Sequence, residues 1–218
     1  MTREEKNKQI ALSNKETRER RKTQTALVFE CGIRNEKRNR KSGALAHCFG
    51  ILREAKWMKN DVLHQMNEEH VKISQMKDKD FKVIRHLDKD RNTIESVPDY
   101  LTSSMRLGVL TDMKWNLSSL RALKKKGFKV GRLKYESEHK SITLLQYGIT
   151  HWLTGPNSIH IQGFKGDIRV AGLRQLRNLE KNDIEYEVSV ARLRKDGSKL
   201  FFDLTVYVDT EKYNAFLE

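Results

Sequence analysis

The sequence predicts an α+β protein: a small, mostly antiparallel β-barrel with a helical bundle inserted after its first strand. Three observations carry that prediction. From about residue 43 to 126, apolar residues recur at steps of three and four, the spacing of one buried helix face. After Gly131 the period switches to two, and Gly, Pro or Asn separates the runs. An isolated β-rich run, "TALVFECGI" at 25–33, lies ahead of the helical block, cut off from the strands it would pair with. Inserting the helices into the barrel reconciles the three.

Residues 1–25 are polar and nearly free of apolar spacing, so they form either a charged helix weakly stable alone or an arm that orders on binding. The strand at 25–33 ends near Gly32, and "RNEKRNRKSG" reads as a loop. In the helical block Leu45, Cys48, Phe49, Leu52 and Ala55 make one stripe, continued by Val62, Met66 and Ile73. "DKDFKVIRHLDKD" reads as a short amphipathic piece of the same block. The next helix begins near Pro98, whose missing N–H costs little at a helix start. Its stripe is Leu101, Met105, Val109, Met113, Leu117 and Leu120. Lys124 to Lys126 fall in its last turn, where cations complement the helix dipole, and Gly127 is placed to end it. Gly108 costs about 1 kcal/mol relative to Ala inside a helix, and reads as a mark of a close approach.

Five strand candidates follow: "SITLLQYGITHWLTG", "NSIHIQGF", "GDIRVAGL", "IEYEVSVARLRKDG" and "SKLFFDLTVYVD". The last two flank Asp196-Gly197, a hairpin signal. The division is therefore a basic arm at 1–25, a first barrel strand at 26–34, a helical lobe at 35–126, a basic linker at 127–140 and the rest of the barrel at 141–218.

Charge is the guide to function. The 218 residues carry a formal net charge of +14. Residues 1–41 hold 13 Lys/Arg against 6 Asp/Glu, and residues 114–140 hold 9 against 2. The stretches 42–113 and 141–218 each balance, so the whole excess lies in two segments. Solubility does not need such concentration; binding a polyanion does, because each neutralised phosphate releases counterions. The candidate contacts are Lys124, Lys125, Lys126, Lys129, Arg132 and Lys134 at the join of helix and barrel, with Gly127 and Gly131 letting a sugar–phosphate chain come close. A second group is Arg18, Arg20, Arg21 and Lys22 in the arm, followed by Arg34, Lys37, Arg38, Arg40 and Lys41 on the loop. A solvated loop and a charged tail are the plain alternatives. Tyr147 and Trp152 are candidates either for base stacking or for core packing.

Other chemistry finds little support. No apolar run approaches the roughly 18 residues of a membrane span, and the N-terminus lacks the apolar segment of a secretory signal, so a cytoplasmic chain with no membrane partner is expected. Cys31 and Cys48 form no CxxC pair and read as small buried residues. The seven histidines show no ligand or nucleophile spacing, and no cofactor is implied.

The order of a β-run, "CFGILREAKWMKNDVL", "VPDYLTSSMRLGVLTDMKWNLSSLRALKKKG" and "GRLKYESEHKSITLLQYG", continued by "NSIHIQGFKGDIRVAGL" and "DIEYEVSVARLRKDGSKLFFDLTVYV", resembles the N-terminal half of the TnpB proteins of insertion sequences. These are relatives of the miniature type V CRISPR effectors. The resemblance spans roughly residues 26–208 and rests on order and spacing rather than on a catalytic string. It implies a wedge domain, an OB-like barrel interrupted by a helical recognition lobe, binding a guide RNA and double-stranded target DNA in an RNA-guided transposon-associated protein. It also points to the helix after "VP" for reading a motif beside the target, with Ser103, Ser104 and Arg106 as candidates. The family's nuclease site lies in a following RuvC-like domain with a zinc ribbon. The present sequence stops at "DTEKYNAFLE", where that domain would begin, so the isolated chain is not expected to cleave DNA. A separate RuvC-like nuclease half as partner, an unguided DNA- or RNA-binding protein with a helix-turn-helix or oligonucleotide-binding fold, and an inert truncated transposase remnant all stay open.

Overall fold

The computed structural model describes residues 1–217. Seven antiparallel strands form a nearly closed barrel, and six α-helices and a two-stranded hairpin accompany it. The chain opens with α1 (Arg3–Arg21), whose Thr2 and Glu5 make a reciprocal capping box. No residue of α1 is buried. Its end is tied to the barrel by ion pairs from Arg20 and Arg21 to Glu187.

Strand β1 (Gln24–Ile33) follows, and then the chain leaves the sheet. Within the expected loop it makes one helical turn, α2 (Lys37–Lys41). Asn39, fully buried there, donates to the carbonyls of Arg34 and Arg169 and accepts from the Arg169 amide. Helix α3 (Ala44–Asn67) and helix α4 (Ser103–Lys125) supply the bulk of the inserted block. The stripe of α4 is buried from Leu101 to Met113, as its spacing predicts, while Leu117 and Leu120 are half-buried. In α3 the expected Phe49 instead points outward, and Ile51 and Met58 fill the inner face.

Between these helices the chain is not helical. "DKDFKVIRHLDKD" forms a 3-10 turn (Asp78–Phe81) and then β2 (Ile84–Leu87), which pairs with β3 (Thr93–Ser96). Asp88 closes that hairpin by accepting from the amides of Asp90 and Asn92, leaving Arg91 at φ +65°.

The chain returns to the barrel at β4 (Ser141–Leu144). The first strand candidate splits, because Gln146 to Thr150 turn and β5 (His151–Gly155) goes to the other edge. β6 (Ser158–Ile161) and β7 (Ile168–Ala171) follow, then helix α5 (Arg174–Lys181), which the strand rhythm did not predict. β8 (Tyr186–Asp196) and β9 (Lys199–Asp209) form the long hairpin, and α6 (Thr210–Leu217) ends the described chain. Its two loop residues are Gly197 and Ser198. Only glycine takes positive φ, the pattern of a II′ turn rather than the I′ turn Asp-Gly suggests.

The strand order β4-β8-β9-β1-β7-β6-β5 puts the isolated first strand at the centre, between β9 and β7. A bridge between Tyr147 and His151 brings the two edges together. One apolar core runs through the barrel, including Ile142, Ile161, Phe202 and Leu204, and into the buried faces of α3 and α4. Helical block and barrel are therefore packed as one body rather than strung on a linker.

Gly108 is where they meet most tightly. A Cβ there would lie well inside van der Waals contact of the Thr143 carbonyl oxygen on β4. One turn later Asp112 accepts from the Thr143 amide and hydroxyl. Gly108→Ala should lower stability by about 2 kcal/mol despite its better helix propensity, read from urea denaturation. An unchanged or higher midpoint would mean that α4 and β4 can separate freely.

His151 supplies a second expectation. It is buried, its Nδ1 meets the Thr150 hydroxyl at 3.0 Å, and its Nε2 has no partner. Burial pushes its pKa down to about 4 from 6.5. Between those values the unfolded chain binds more protons, so stability is lost as pH falls from 6.5 towards 4. The loss should reach about 3 kcal/mol. His151→Phe should flatten that part of a pH series of melts, and an equally steep series would assign the slope to other groups.

Candidate nucleic-acid interface

Residues 127–140 form no helix or strand. They run back along the outside of α3 and α4. Residues 128–133 lie beside Leu63, Met66, Leu117 and Leu120 at the ends of the two helices. Residues 135–137 reach Trp57 and Asn60, and residues 138–141 reach the middle of α4. Asn60 fixes the register by donating to the Glu136 carbonyl and accepting from the Glu136 amide, both at 2.9 Å.

The charge of this segment is sorted by the fold. Its two carboxylates are both taken by cations. Glu136 bonds to Lys59 and to His139 Nδ1, and Glu138 bonds to Lys195. Burial opposes ionisation of Glu136, but the bonds from His139 and Lys59 outweigh it and hold its carboxyl below the usual range. Lys195 does the same for Glu138. The cations keep no such partners. Lys124, Lys125, Lys126, Lys129, Arg132 and Lys134 are all exposed, and among the described residues none is paired with a carboxylate. Gly127 ends α4 at φ +85°, as its position predicts. Arg121, Lys124, Lys129 and Arg132 rim an open groove of about 480 Å³ with an apolar floor.

Aromatic rings are exposed along the same stretch: Trp115 at 54%, Phe128 at 61% and Tyr135 at 53%. Sequence reasoning singled out Tyr147 and Trp152 instead. Trp152 is half-buried and stacked on His160 at 4.1 Å, while Tyr147 is 40% exposed and lies edge-on to His151. The signal for the better set was present in the letters, as aromatics interleaved with Lys and Arg between 114 and 140.

The other predicted residues do not gather here. In the arm, Arg21 pairs with Glu187 and lies 3.4 Å over the Tyr207 ring, Arg20 shares Glu187, and Lys22 pairs with Glu19. Arg18 is exposed. Arg20 and Arg21 thus hold the end of α1 to the barrel. Arg34, Lys37, Arg38, Arg40 and Lys41 are exposed at the far end of β1, about 30 Å from the arm cluster at the rise of an extended strand. Arg34 also approaches Glu36 at 3.9 Å.

Ser103, Ser104 and Arg106 sit at the opposite end of α4 from the lysines. Ser103 donates to Asp78, and Ser104 is half-buried. The Arg106 guanidinium is spent on the carbonyls of Asp78 and Leu101, at 3.1 and 2.8 Å. Its geometry is that of a strut between the 3-10 turn and the start of α4. Arg106→Ala should cost about 1–2 kcal/mol of stability with nucleic-acid affinity within twofold of wild type. A loss of affinity without loss of stability would make it a contact residue instead.

Cys31 and Cys48 are buried, and burial pushes both thiols up to about 12, so neither is reactive near neutral pH. Asp203 on β9 pairs with Arg194 across the hairpin. Among the described residues no group of three or more His, Cys, Asp or Glu is placed to hold a metal ion, and no helix is long and apolar enough to cross a membrane. Compared with known proteins, the chain matches no family model and no curated protein.

Proposed function

We propose that this chain is a nucleic-acid-binding module and that residues 114–140 carry the bound strand. One observation supports the reading above the others: among the described residues this segment combines eight exposed cations without a carboxylate partner with three exposed aromatic rings, while its own carboxylates are neutralised by Lys59 and Lys195. Cations follow a phosphate backbone and aromatic faces take unpaired bases, so the combination favours single-stranded or irregular nucleic acid over uniform duplex. In the form implied by the TnpB resemblance, that strand is part of a guide RNA, and barrel and helices together also grip target DNA. That specific form rests on the resemblance alone.

The test is sequencing of RNA that co-purifies with the chain from its host after a high-salt wash. One dominant structured species supports the guided form. A mixture of cellular RNA removed by salt supports the unguided alternative. A chain that carries no RNA, and binds neither single strands nor duplex at low salt, overturns the reading.

A further inference from the structure

A cleft of about 570 Å³ opens where the segment passes Tyr135, between the middle of α3 and the β2–β3 hairpin. Its volume lies within the range of small-molecule sites and suits one nucleotide. On one side Trp57 of α3 and His86 of β2 stack face to face, centroids 3.8 Å apart and planes within 5°. Arg53 lies over the same Trp57 ring at 5.2 Å. Tyr135, half exposed, lines the same cleft and carries no ring partner among the described residues.

The polar groups around the cleft are nearly all committed. Asp61 is bonded by Arg85, Asn60 holds the Glu136 backbone, and Glu136 is matched by Lys59. Lys56 has no carboxylate partner among the described residues. A lined, mostly apolar slot with flat walls and a free ammonium at its rim suits a planar ring attached to a phosphate. It also continues the cationic strip, because Tyr135 directly follows Lys134.

We propose that this cleft receives one unpaired nucleobase of a bound single strand, held between Tyr135 and the His86–Trp57 stack. The phosphates on either side of that nucleotide lie along Lys129–Lys134, and Lys56 faces the nucleotide's own phosphate or base edge. The inference rests on reading residues 114–140 as the nucleic-acid surface. It adds a preference the cations alone do not give: single strands with a splayed base over paired ones, with little dependence on sequence, because every base presents a flat face.

The probe is a short single-stranded RNA containing 2-aminopurine, whose fluorescence reports loss of base stacking within the strand, compared with its fully paired duplex. Tyr135→Ala is used because Tyr135 is exposed and its removal leaves the core untouched. The expected result is about tenfold weaker binding of the single strand, loss of the fluorescence change on binding, and an unchanged salt slope. Duplex affinity should stay as in wild type, and Tyr135→Phe should restore the single-strand values. If Tyr135→Ala binds the single strand as wild type does, the cleft holds no base, although the cationic surface stands. If wild type binds the duplex as tightly as the strand, the cleft is equally refuted. If wild type binds neither, the nucleic-acid reading fails and takes this inference with it.

Discussion

Replacing Lys124, Lys125, Lys126, Lys129, Arg132 and Lys134 together by Ala is expected to weaken single-strand RNA binding by roughly a thousandfold at about 0.15 M salt, with the fold intact. The magnitude follows from counterion release. Each phosphate contact on a single strand contributes about 0.7 to the slope of log K against log salt, hence about 0.6 in log K at that ionic strength. Six contacts give a slope change of about 4 and an affinity change on the order of 10³. The fold should survive because all six side chains are exposed and none makes an ion pair among the described residues, so no partner is left buried and unsatisfied. Isothermal or fluorescence titration across a salt series measures both quantities. A variant that binds within threefold of wild type and keeps its salt slope would sink the assignment. The comparison surface is the loop after β1. Neutralising Arg34, Lys37, Arg38, Arg40 and Lys41 should change the slope far less if the strand follows residues 114–140.

Much of this architecture is legible before any coordinate is known, for reasons local to the chain. β9 alternates strictly after a Gly turn and β8 alternates on the other side of it up to an irregularity between Val188 and Ala191, and α4 keeps one apolar stripe through three turns and stops at Gly127. The isolated β1 and the glycine at 108 are harder signals, yet both follow from asking what a misplaced element is for. The misses share another cause. β2 and β3 are four residues each and together carry five polar residues against three apolar, so a charged hairpin stapled by Asp88 looks like an interrupted helix. Helix α5 buries only Leu176 and Leu179, too few to make a period against five strands in sequence. Phe49 turns outward because the core of α3 is set by where α4 and the barrel lie, which its own spacing does not encode.

The binding surface divides the same way. Its cations are visible as a charge run, but their freedom is not. Glu136 and Glu138 stand among them in the sequence, and only the fold brings Lys59 and Lys195 to neutralise both. The same fold gives Arg21 and Arg106 each an intramolecular partner, which the letters do not show. A side chain's charge can be counted from letters, whereas whether that charge is available depends on residues more than 50 positions away.

Glu54→Ala is expected to cost about 4–5 kcal/mol, enough to unfold a large fraction of a domain whose total stability is of the usual 5–15 kcal/mol. Glu54 is 2% exposed on the inner face of α3. No cation pairs with it among the described residues; instead its carboxylate accepts three successive backbone amides, from Asp99 at 3.1 Å and from Tyr100 and Leu101 at 2.8 Å. Those amides point at one spot because the chain turns there to enter α4, and a fixed anion is what lets them be buried together. Alanine leaves three donors without acceptors and a void at a buried position, so desolvation and cavity terms add. Gln keeps the shape and one oxygen, but sets an NH₂ against an amide donor, and should cost about half as much. The consequence reaches the binding surface, since α4 is the rod that carries Lys124–Lys126 at its far end. Urea denaturation ranks the variants, and limited proteolysis between Ser96 and Ser103 reports whether the turn opens before the rest. An alanine variant within about 1 kcal/mol of wild type would show that water or a rearranged turn satisfies those amides. The approach to α4 would then be soft, and the position of the cationic strip would have to be held by Asn60 and Glu136 alone.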